Sequence, residues 1–102
     1  MQSWHAELVT RFSVIADVSS DNLAAVRPVL LHLLEDGAVT STADGLHVRG
    51  MMDGTDARDA NRRMLSALRQ AEKRTRLRAE WTGDGHVHRF FDYVPKSTRP
   101  MP

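Results

Sequence analysis

Cysteine is absent from all 102 residues, which excludes disulfides, thiolate metal sites and a cysteine nucleophile, and agrees with a reducing, cytoplasmic location. Long apolar runs are also missing: nothing approaches the roughly 18 consecutive residues that a spanning helix needs. The opening residues 1–7 place no basic stretch ahead of an apolar one, so neither secretion nor a membrane partner is expected. There is no glycine-rich phosphate loop, no nucleophile in a recognisable elbow, and no carboxylate pair whose spacing demands acid/base work. Catalysis and a cofactor are therefore not expected. Lysine is scarce as well, at two residues against twelve arginines. That bias would suit guanidinium recognition of anions, but a GC-rich genome produces it through codon usage alone.

What the chain does contain suits one α+β domain over residues 1–94, followed by a tail over 95–102 that holds three of the four prolines. At 41% hydrophobic and 26% charged, it can bury one ordinary core and no second domain. Residues 5–16 alternate as a strand, with Leu8, Phe12, Val14 and Ala16 on one face and Glu7, Val9, Arg11, Ser13 and Ile15 on the other. Ser19, Ser20 and Asp21 supply helix-capping oxygens. A helix is expected from about Ser20, with Leu23, Val26, Leu30, Leu33 and Leu34 as its apolar stripe and Gly37 as a left-handed stop. Pro28 lies within it, so a kink or a split near Arg27 is expected.

Residues 38–42 and 46–52, joined through Asp44-Gly45, read as a hairpin. A second helix is expected from Thr55 or Asp56 to about Lys73, with Ala57, Ala60, Met64, Leu68 and Ala71 facing the core. Residues 75–81 then alternate as a strand and turn at Thr82-Gly83-Asp84-Gly85 into a final strand over 86–94.

This order of elements resembles the ferredoxin-like α+β sandwich, βαββαβ with an extra C-terminal strand. The resemblance implies two helices on one face of an antiparallel sheet. It is a likeness of fold alone and brings no activity with it. The alternative is a winged helix, in which residues 25–50 would supply the recognition helix and wing. That fold normally needs further helices before the wing, where this chain has a strand.

The sandwich would leave one sheet face open, carrying Arg11, His47, Arg49, Arg76 and Arg78 as candidate binding residues. Eight of the fourteen basic residues fall between Arg58 and Arg78, opposed only by Asp59 and Glu72, which raises nucleic acid as a partner. Against it, the strand positions where an RNA-binding sheet would carry stacking aromatics hold His47, Arg49 and Met51. Asp59 is also within helical reach of Arg62 and Arg63, as Glu72 is of Arg69.

His86 and His88 share one side of a strand, and His5 and His47 fall on the open face. His-x-His is a common pattern, Asp84 and Asp92 have ordinary turn and strand roles, and no metal is expected. His32 packs or faces solvent on the first helix. The preferred reading is a non-catalytic module that binds a second copy of itself, another protein or a small molecule. Phe90 and Tyr93 are its interface candidates, because the final strand carries bulky residues on both faces.

Overall fold

Alternation of small polar and β-branched residues makes the first strand, β1 (Thr10–Ser19), which buries Phe12, Val14, Ala16 and Val18 on one side. A computed structural model describes residues 9–91. The tail 95–102, His5, Glu7, Leu8, Asp92 and Tyr93 lie outside the described residues.

Among the described residues, five strands form one antiparallel sheet in the order β2-β3-β1-β4-β5. The others are β2 (Glu35–Ser41), β3 (Leu46–Gly54), β4 (Arg76–Gly83) and β5 (His86–Phe91). Helices α1 (Leu23–Leu33) and α2 (Ala57–Ala71) pack on the face that carries the β1 core residues. There Val26, Leu30, Met64 and Leu68 close over Leu46, Val48, Leu77, Ala79 and Trp81. The hydrophobic effect thus binds one face of the sheet to both helices.

Helix α1 departs from the expected bounds at both ends. Asn22 is the N-cap, its Oδ1 accepting from the Ala25 amide at 3.2 Å, while Ser20 Oγ accepts from the Asn22 amide at 3.3 Å. Ser19 remains in β1. At the other end Leu34 caps the helix in an extended conformation, because Glu35 already pairs with Met51 of β3. Asp36, at a left-handed φ of 55°, lies within β2, where the register shifts between Glu35 and Ala38. The left-handed residue is Asp36 rather than Gly37, and both belong to a bulged strand. Pro28 does not split the helix. It is solvent-exposed together with Ala24, so water can satisfy the carbonyl that loses its helical donor.

The two turns follow their chemistry. Thr42 to Gly45 closes the β2–β3 hairpin, with Thr42 N donating to Gly45 O at 2.8 Å and Gly45 N to Thr42 Oγ1 at 3.0 Å. Gly83 pairs with His86, which leaves Asp84 and Gly85 as a two-residue loop at φ 52° and 77°. Such a turn needs two left-handed residues, for which Asp-Gly is suited. Thr82 and Gly83 are strand residues, so the turn is shorter than expected.

Helix α2 begins at the Asp56 cap, whose Oδ1 accepts from Asp59 N at 2.8 Å, while Asp59 Oδ2 accepts from Thr55 N at 3.1 Å. The reciprocal pairing resembles a capping box. The expected stripe is buried except for Ala71, which is exposed. Asn61 is buried in its place, accepting from Trp81 Nε1 at 3.0 Å.

Candidate functional site

Strand parity and register together define the sheet face left open by the described residues as a lattice of side chains. One row across the sheet runs Thr40, His47, Asp17, Arg78, Phe91. The next runs Ala38, Arg49, Ile15, Glu80, Arg89, and the third runs Glu35, Met51, Ser13, Thr82, Val87. Asp53 and Arg11 lie beyond it. Because β1 is the middle strand, Ile15 occupies the centre, 43% exposed.

All five sequence-expected binding residues, Arg11, His47, Arg49, Arg76 and Arg78, belong to this face, but most have partners. Arg11 Nη1 donates to Glu35 Oε1 at 2.8 Å and its Nε lies 3.5 Å from Asp53 Oδ1. The hydrogen bond and charge of Arg11 hold the Glu35 carboxyl below the ordinary value, and Glu35 and Asp53 in turn raise the arginine. His47 Nδ1 is 3.0 Å from Asp17 Oδ1. The Arg78 guanidinium sits 5.2 Å from the centre of the Phe91 ring, a cation–π contact. Arg49 and Arg76 have no carboxylate partner among the described residues. Arg89, which sequence reasoning missed, donates to Glu80 at 2.8 Å; its cue was parity with Phe91.

Aromatic side chains are not confined to the covered face. Phe91 is 59% exposed on the open one, whereas Phe90, the neighbouring interface candidate, is half-buried against the core. Of the large hydrophobics exposed among the described residues, Ile15, Val87 and Phe91 share this face, and Val9 precedes it with the same parity. The surface is therefore apolar at its centre and along one edge, with charges of both signs between.

The arginines of α2 form a separate surface. Asp59 sits 3.4 Å from both Arg62 and Arg63, and Arg63 also donates to the Asp53 carbonyl. The Thr55 amide, followed by Arg63 and Arg62, lowers the Asp59 carboxyl from its ordinary value. Arg69 Nε donates to Thr75 O at 3.1 Å, and Glu72 Oε1 accepts from Arg74 N at 3.3 Å. A depressed carboxyl stabilises the fold above its unfolded pKa, about 3.9 for aspartate, and that contribution is lost as pH falls through the folded value. Asp59→Asn, which retains an oxygen for Thr55, should therefore flatten the fall in melting temperature between pH 6 and pH 3. An acid slope identical to that of the unsubstituted protein would remove Asp59 as a source of it.

His86 and His88 point to one side of β5 with ring centres 6.2 Å apart. Among the described residues no group of three or more histidine, aspartate or glutamate side chains is arranged to hold a metal. No helix among those residues is long and apolar enough to cross a membrane. No protein-family model, curated protein or solved structure matches the chain.

Proposed function

We propose that the protein is a non-catalytic ferredoxin-like module that forms a homodimer by packing its open sheet face against that of a second copy. The fold reading is supported by the order β2-β3-β1-β4 within the sheet, the arrangement expected of βαββαβ, with β5 added beside β4. The observation that carries the dimer is Ile15, exposed at the centre of a five-stranded face that no other described residue covers, with Val87 and Phe91 toward its edge.

Charge and area favour a second copy as occupant. Arg11, Arg49, Arg76, Arg78 and Arg89 share the face with Asp17, Glu35, Asp53 and Glu80, so the surface complements itself and has little excess of either sign. A two-fold axis parallel to β1 and passing over Ile15 brings the Arg49 of each copy toward Glu80 of the other. At ~4.8 Å between strands and ~3.4 Å per residue, the face offers a flat footprint of about 600 Å². Side-chain relief brings this near the ~800 Å² per partner of a specific interface. The expectation of a cytoplasmic location rests on the sequence alone.

Light scattering across a hundredfold concentration range tests the reading. The unsubstituted chain should give twice the monomer mass. Ile15→Lys, placed where the side chain already reaches solvent, should shift the dimer constant by about a hundredfold or more with melting little changed, as expected for a central apolar contact. A monomer mass at every concentration removes the proposal.

The alternative, nucleic acid held through α2 and the open face, draws less support. Asp59 already holds Arg62 and Arg63, while Glu35, Asp53 and Glu80 hold Arg11 and Arg89.

A further inference from the structure

Where β1 ends, α1 is about to begin and α2 gives way to β4, the chain forms a cleft of about 540 Å³. Arg69, Lys73, Arg74 and Arg76 line it from the end of α2, the connecting turn and β4, and among the described residues Asp21 is the one carboxylate in its lining. We propose that this cleft, at the end of the sheet where Arg76 borders the open face, binds the phosphate of a phosphomonoester.

The floor of the cleft is fixed by buried polar bonds. Thr75 is fully buried, and its hydroxyl donates to Glu72 O at 2.6 Å. With that proton committed, Ser20 Oγ must be the donor in the 3.0 Å bond to Thr75 Oγ1. The loop between β1 and α1 is thereby tied to the turn between α2 and β4. Arg69 is held against the same turn through the Thr75 carbonyl. The cations are thus presented by backbone pinned from two sides, which lowers the ordering cost of binding.

Charge accounting supplies the ligand class. Asp21 lies 3.7 Å from Arg74, so the cleft's own anion is assigned. Lys73 and Arg76 have no carboxylate partner among the described residues, although both line the same concavity. Cations near a helix C-terminus are favoured by the backbone dipole, and this accounts for Arg69. It does not account for Arg76, which belongs to β4. Two like charges, Lys73 and Arg76, held in one concavity without a carboxylate partner among the described residues are stabilised by a multivalent anion, and a phosphomonoester is close to a dianion above its second pKa of about 6. The cleft volume falls within the range of small-molecule sites, ~300–1,000 Å³, which leaves room for a body attached to the phosphate.

The test is calorimetric titration of the full chain with glycerol 3-phosphate and inorganic phosphate. Parallel sedimentation uses phosphatidylcholine vesicles containing phosphatidic acid, a phosphomonoester carried on a lipid. Lys73→Ala and Arg76→Ala, both at exposed positions, should each weaken glycerol 3-phosphate binding roughly tenfold, in keeping with loss of one charge-assisted bond. Affinity should also fall between pH 7 and pH 5 as the dianion becomes a monoanion. Binding of glycerol 3-phosphate without vesicle binding assigns a soluble ligand, and the reverse assigns a lipid headgroup. Ile15→Lys should leave this binding intact, which separates phosphate binding from dimerisation. The proposal is overturned by absence of binding to every monoester, or by affinity unchanged in both variants. Tighter binding of a single-stranded oligonucleotide without terminal phosphate, which offers phosphodiesters alone, also overturns it.

Discussion

Trp81→Ala should lower the free energy of unfolding by about 4 kcal/mol, the usual scale for removing a large buried aromatic. Trp81 is 0% exposed. Its ring meets Phe12 edge-on, at 6.2 Å between centres and 86° between planes, while its Nε1 donates to the buried Asn61 Oδ1. Truncation therefore opens a cavity beneath α2, breaks an aromatic contact and leaves a buried amide without its donor. For a domain of this size, whose total stability lies at roughly 5–15 kcal/mol, the variant should be substantially unfolded at moderate urea. Asn61→Leu conserves much of the volume but strands the indole N–H, and should cost about 2 kcal/mol. Urea denaturation followed by circular dichroism measures both, and the Trp81→Phe background separates the hydrogen bond from packing. If Asn61→Leu costs as much there as it does beside tryptophan, the indole bond is not what Asn61 contributes.

Gly45→Ala should be nearly as damaging although it adds a single methyl group. A Cβ on Gly45 would lie 2.0 Å from the Val18 carbonyl oxygen and 3.1 Å from its carbon, both of them backbone atoms of the central strand. No rotamer change relieves that contact. The β2–β3 hairpin must move away from β1 at the point where Val18 pairs with Leu46, disturbing the turn bonds of Thr42. Overpacking of this kind costs about 3 kcal/mol. Asp44→Ala, an exposed change in the same turn, is the control and should cost well under 1 kcal/mol. A Gly45→Ala protein that melts with its parent would show that the hairpin has slack which this close approach denies.

The elements were readable where the sequence carried a period or a turn signal. Alternation in β1 and β4, Asp-Gly at both hairpins, and the stripe Ala57, Ala60, Met64, Leu68 each express a constraint among neighbours in the chain. Asn61 was legible in principle: it sits four residues after Ala57 and three before Met64, a polar side chain on an apolar stripe. Its partner was not, since Trp81 is distant in sequence. The end of α1 was misread for a similar reason. Glycine at 37 offered a local stop, but the ladder between Glu35 and Met51 and the left-handed Asp36 end the helix sooner.

The sequence by itself determined the element types, the covered and uncovered parities of β1, β3 and β4, and the presence of Arg11, His47, Arg49, Arg76 and Arg78 on the open side, but not which of Phe90 and Phe91 faces the core. Only the tertiary structure decided which of those side chains already have partners. Glu35 reaches Arg11, Asp17 reaches His47 and Phe91 lies under Arg78 through lateral strand pairing, which depends on register and order across the sheet. Periodicity reports the direction of a side chain from its own strand. Its partner belongs to another strand, and Coulomb and packing energies act at those short distances in space.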